Sequence, residues 1–188
     1  MVSLPTLWLP ILLSGVAVFV VSSVIHMALQ YHRSDFRTLP SENEVMESLR
    51  RFGIPAGDYM VPRAGNMAEM KSPAFQEKLA RGPVMVLTVM KPGAFSAMGA
   101  RLGQWFLYCV IVSYIAAYIA SRAAGPGTEW PVVLRFAGCT AFVAYGLGQW
   151  QNSIWYSRSW TTTIKHNIDA LIYGVVTGLV FAWLWPAG

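Results

Sequence analysis

Histidine has the widest chemistry of any side chain in this sequence, and two of the three histidines fall in apolar helical runs. His26 lies in the stripe Ser22, His26, Gln30, and residues four apart share one face of a helix. His166 opens the run "KHNIDALIYGVVTGLVFAWLW", among Lys165, Asn167 and Asp169. Gln104, Gln149 and Asn152 fall near the same level of other apolar segments, so four segments each bring polar side chains to one layer. Ionisable groups inside a span are functional candidates by default. Two imidazoles at similar depth on two helices are also the axial ligand set of a b-type haem.

The plainer reading competes with this one. Residues 168–185 are long enough to cross a bilayer without the preceding polar triplet. Lys165 and His166 would then sit in the headgroup layer, Asp169 would pair with Lys165 at i+4, and His26 would hydrogen-bond to a neighbouring helix. Neither a clustered carboxylate pair nor an H-E-x-x-H motif announces a metal site. No Walker loop, G-x-S-x-G, G-x-G-x-x-G or nucleophile pair is present, so the sequence is read as non-enzymatic.

The elements that position these residues are spans. The chain is 55% hydrophobic and 12% charged, against about 25% charged in soluble proteins. Ten of its 14 Lys and Arg and seven of its nine acids lie between Arg33 and Arg101. That distribution gives an all-α membrane protein: spans at residues 7–30, 102–120, 131–150 and 160–185 (the last with an amphipathic start), and one insert at 31–101. The first span has neither a basic leader nor an early A-x-A site, so it is read as retained. All eight tryptophans fall near span ends, where an indole keeps its ring buried and its N–H wet. Arg33, Arg37, Lys91, Arg101 and Arg158 put the insert and the 151–160 loop in the cytoplasm and both termini outside, in a cell (inner) membrane. Arg135, near an outer end, is read as snorkelling to the surface. The basic residues form no compact run, which argues against nucleic acid despite a net charge of +5. Cys109 and Cys139 sit in apolar runs and are read as packing residues.

The insert reads as a small α+β unit. "PSENEVMESLRRFG" offers Ser41 as N-cap, Glu44 for a capping box and Gly53 as a stop; "KSPAFQEKLARG" offers Ser72, Pro73 and Gly82 in the same roles. "DYMVP" and "PVMVLTVM" read as short strands.

Helices in lipid associate through small residues. Ala170, Gly174, Gly178 and Ala182 make such a row, and Ser113, Ala117 and Ser121 another. Both predict close helix contacts, within the bundle or with a partner. The blocks "GDYMVP", "RGPVMV" and "NSIWYSRSW", followed by a final helix rich in small residues, resemble small bacterial four-helix membrane proteins. That resemblance implies architecture and transfers no site residue. The leading expectation is therefore a lipid-embedded accessory or assembly subunit without cofactor, associating with other subunits or itself. The alternative is an ion- or haem-handling protein using His26 and His166.

Overall fold

A computed structural model describes residues 1–94 and 96–188. Four long apolar helices flank a small α+β region between the first and second, the architecture the hydropathy pattern calls for. The elements are α1 (Trp8–Met27), α2 (Glu42–Arg50), β1 (Gly57–Val61), α3 (Met67–Met70), α4 (Pro73–Arg81), β2 (Met85–Val89), α5 (Met98–Ala123), α6 (Trp130–Gly146), α7 (Trp150–Tyr156) and α8 (Trp160–Trp183). The chain divides into two compact units, one of Met1–Arg37 with Met98–Gly188 and the other of Thr38–Ala97.

In the first unit each long helix packs on two others, closing a ring α1–α5–α6–α8. Its interior is built largely from small residues: Ser14, Ser113, Ala116, Ala117, Ala120, Ala137, Ala141 and Ala170 are buried. Large apolar side chains point the other way, with Leu12, Val16, Val20, Ile111, Ile115, Leu171, Val175 and Leu179 exposed. A water-soluble bundle would bury these. The inversion is what a hydrocarbon solvent produces, because apolar burial then gains little and close backbone approach gains more. The protein is lipid-embedded and multi-pass.

The closest approach is between α6 and α8. A Cβ placed on Gly174 would lie 2.8 Å from the Gly138 carbonyl oxygen, and one on Gly178 would lie 2.8 Å from that of Leu134. The row beginning at Ala170 is therefore taken up inside the bundle. Ser113, Ala117 and Ser121 are likewise buried on α5. Past Gly146 the third span tightens into a 3-10 turn, Leu147–Gln149, before α7 completes it. A left-handed Ser157 then reverses the chain, and the Ser153 and Thr163 hydroxyls share a hydrogen bond of 2.6 Å that closes the α7–α8 corner.

The chain after α1 does not leave the bundle at once. Residues Gln30–Asp35 form a 3-10 turn that packs on both α1 and α8. Trp105 also departs from the interfacial role expected of it. Its indole N–H donates to the Ser22 hydroxyl at 2.8 Å, and its ring packs against Tyr108, Tyr145 and Tyr173. Cys109 is buried and Cys139 exposed. Arg135 is exposed on α6.

In the second unit, β1 and β2 pair antiparallel from Gly57↔Val89 to Val61↔Met85. Ser72 caps α4 by accepting from the Phe75 N–H at 3.2 Å. Ser41 precedes α2 but forms no side-chain cap. Its backbone is left-handed, and its carbonyl accepts from the N–H groups of Glu44 and Val45 instead.

Candidate metal centre

The carboxyl end of α1, the turn after it and the first turns of α8 meet at one end of the bundle. They bring together His26, His32, His166 and Asp169, whose ligating atoms all lie within 4.8 Å of one another. The sequence singled out three of these. It missed His32, which lies past the apolar run and was therefore assigned to the insert. The available signal was the "YHRSD" segment, in which His32 and Asp35 stand at i,i+3 beside Tyr31.

Three of the four ligand candidates, His26, His32 and Asp169, are oriented from behind. His26 Nδ1 is 3.0 Å from the Ser22 carbonyl, the geometry of an N–H donating back along the helix, which leaves Nε2 for a ligand. His32 Nδ1 is 2.7 Å from Asp35 Oδ2, and its Nε2 faces Asp169 Oδ2 at 2.8 Å. His166 Nδ1 stands 4.0 Å from the same Asp169 oxygen. The other oxygen of Asp169 accepts from the Tyr31 hydroxyl. The carbonyl behind His26 and the carboxylate behind His32 fix the tautomer of each ring and raise its basicity, the usual outer shell of a metal site; His166 has Arg158 there instead.

Charge is distributed to suit this. Lys165 does not pair with Asp169. Its ammonium group donates to Asp35 Oδ1 at 2.9 Å, to the Tyr31 carbonyl at 2.5 Å and to the Ser34 hydroxyl at 2.7 Å. Burial alone would push the Asp35 carboxyl up, but hydrogen bonds from His32 and Lys165 and their positive charge outweigh it and hold the carboxyl below its ordinary range. Burial and the adjacent Asp169 push the Tyr31 phenol well up, so it stays a donor. Asp169 is 2% exposed. A wet helix end does not bury its acid to this extent; the carboxylate is sunk in the protein and aimed at three imidazoles. Arg158 Nη2 lies 3.5 Å from His166 Nε2, on the side away from Asp169.

Of the remaining polar-layer residues, Ser22 accepts from Trp105 and Gln149 accepts from the Asn152 amide at 3.2 Å. Gln30 and Gln104 are exposed and stand outside the cluster.

A b-type haem fits poorly. The rings of His26 and His32 stack at 4.5 Å with 7° between their planes, and His32 packs on His166 at 5.2 Å. A macrocycle held between His26 and His166 would have to displace His32, which both rings touch. A single ion needs no such slot. Four donors around Zn(II), with bonds of about 2.0–2.1 Å, stand roughly 3.3 Å apart in a tetrahedron.

No protein-family description, curated protein or solved structure matches the chain.

Proposed function

We propose that this is a membrane protein that binds and handles a divalent transition-metal ion of the Zn(II) type, with His26, His32, His166 and Asp169 as ligands. One observation carries the reading: four ligating atoms from three chain segments converge within 4.8 Å. Three imidazoles and one carboxylate form a nitrogen-rich set that suits Zn(II), Co(II), Ni(II) or Cu(II) better than Mg(II) or Ca(II). The set carries a single negative charge, and Asp35 and Lys165 neutralise each other beside it. By the distribution of Lys and Arg, the site faces the cytoplasmic side of a plasma membrane. No reaction is assigned to it.

The accessory-subunit reading leaned on the small-residue row of α8, and α6 already occupies that row. A docking role would have to use the lipid-facing surface, or the insert, which that reading also gave contacts to soluble parts of a complex. Proton handling is the second reading. It is favoured by the hydrogen-bonded chain Asp35–His32–Asp169–Tyr31, which can pass a proton without any metal.

Titration of the detergent-purified protein with Co(II) separates these. Visible d–d bands that saturate at one equivalent, vanish on addition of Zn(II), and are lost in His32→Ala and Asp169→Ala support the metal reading. Absence of bands, with no zinc retained through gel filtration, sinks it and leaves the proton chain.

A further inference from the structure

The ion site forms part of the wall of a cavity of about 880 Å³ bounded by α1, α5, α6 and α8. Resting on the metal reading of that site, we infer that the ion-loaded protein takes a single-chain anionic amphiphile of the fatty-acid type. Its carboxylate meets the ion and its hydrocarbon chain lies in the cavity.

The placement of the ligand candidates is the starting observation. His26, His166 and Asp169 line the cavity, and His32 does not. An ion among the four therefore has His32 behind it and the cavity in front. His26 is exposed and the His166 side chain is 28% exposed, against 12% for His32 and 2% for Asp169. Access to the ion is thus from the side of His26 and His166. A donor arriving there would be the fifth, and Zn(II) expands to that number.

Charge selects the head. Asp169 is the one Asp, Glu, Lys or Arg among the lining residues. A divalent ion beside a single carboxylate leaves a net positive charge. Arg158, 3.5 Å from His166 Nε2, adds to it, while Lys165 and Asp35 cancel each other. An uncompensated charge against an apolar wall is costly, and an anionic oxygen answers it. Without the ion, the same head would meet the Asp169 carboxylate and be repelled.

The rest of the lining selects the tail. Met98, Leu102, Trp105 and Tyr108 follow one face of α5 over about 15 Å of helix rise. Tyr145 and Tyr173 also line the cavity, but their hydroxyl oxygens are buried in the packing, so it is their rings that a ligand touches. At the mouth, Met27, Met98 and Leu102 are 81%, 56% and 42% exposed, an apolar and adaptable entry for a chain arriving from lipid. The volume lies in the range of small-molecule sites.

The test uses the Co(II)-loaded parent, because d–d bands report the ion's own ligands. Decanoate, acetate and decanol are added at matched detergent concentration. Decanoate should shift the bands and saturate at one equivalent. Acetate should need at least about a hundredfold higher concentration, the worth of about three to four buried methylenes. Decanol should leave the bands unmoved. A Cβ on Gly148, in the cavity wall, would meet nothing within 4 Å, so Gly148→Leu adds a side chain there without displacing backbone. That variant should weaken decanoate at least about tenfold and keep the cobalt bands of the decanoate-free protein.

Cobalt bands that decanoate does not move overturn the inference and leave the metal reading standing. Acetate acting at the concentrations of decanoate, or decanol moving the bands as decanoate does, also overturns it. So does undiminished decanoate binding by Gly148→Leu. The comparison among the three compounds in the parent decides the matter even if the variant fails to fold. If the parent binds no cobalt, the metal reading fails and this inference falls with it.

Discussion

His32 Nε2 lies 2.8 Å from Asp169 Oδ2, joining the turn after the first span to the last span across 137 positions of sequence. The opposite nitrogen of the same ring is 2.7 Å from Asp35. An imidazole flanked by two carboxylates either donates a proton to each or gives one side to a cation. The metal reading and the proton reading are thus two occupants of one position.

Metal binding should therefore expel protons. Zn(II) titrations in buffers of differing ionisation enthalpy should give a heat that scales with the buffer, reporting at least about one proton released per ion. His32→Gln should reduce the release. Heats independent of buffer would mean that His32 yields no proton to the metal.

Asp169 is buried against His32 and Tyr31, and removal of one partner from a buried charged set typically costs about 3–5 kcal/mol. Asp169→Ala should lower stability by that order in a mixed-micelle unfolding titration. Asp169→Asn should lose less, since the amide oxygen still accepts from Tyr31. If both variants unfold with the parent, the acid contributes nothing to the fold.

Asp35 gives a pH signature. Its carboxyl sits below the ordinary range in the folded protein, held there by His32 and Lys165 against the upward push of burial. The stabilisation it contributes is complete above the unfolded value of about 3.9 and is lost as pH falls through the lower, folded value. The melting temperature of the parent should exceed that of Asp35→Asn from neutral pH down to about pH 4. The two should converge below that. A gap that stays constant into strong acid would rule out this linkage.

Gly174 and Gly178 should be sensitive to the smallest added side chain. Each Cβ would fall 2.8 Å from a backbone carbonyl oxygen of α6, and backbone cannot swing aside. Gly178→Ala should cost about 1–3 kcal/mol by forcing the helices apart, and Gly174→Leu should prevent folding of the monomer. Size-exclusion of a folded Gly174→Leu protein that differs only in oligomeric state would show that the row serves association.

The four spans were legible because a bilayer demands about 20 apolar residues at a stretch, and that demand is written locally. The caps of α4 and the hairpin strands were legible for the same reason. Ser41 was not, since its backbone is left-handed rather than extended as a capping serine's is, and its side chain makes no cap hydrogen bond. The site was half legible. His26, His166 and Asp169 stand in apolar runs, where a polar residue is conspicuous. His32 and Asp35 follow an apolar run and look like ordinary loop residues; only the 3-10 turn that folds them back onto α8 makes them part of the site. The pairing of Lys165 with Asp35 rather than Asp169 is equally non-local. The inward turn of Trp105 depends on Ser22, 83 positions away, and no local pattern encodes it.

The closure of the site across 137 positions also fixes when it can exist. At synthesis rates of about 5–20 residues per second, His26 and His32 emerge roughly 7–27 seconds before Asp169 does. Through that interval the nascent chain has His32 beside Asp35 but without Asp169, and a first helix with no fourth to close the ring. A stalled or truncated chain therefore cannot capture the ion as the finished protein does. On the proposed function, ion capture would report that the last helix has been inserted and would be a chemical mark of completed assembly.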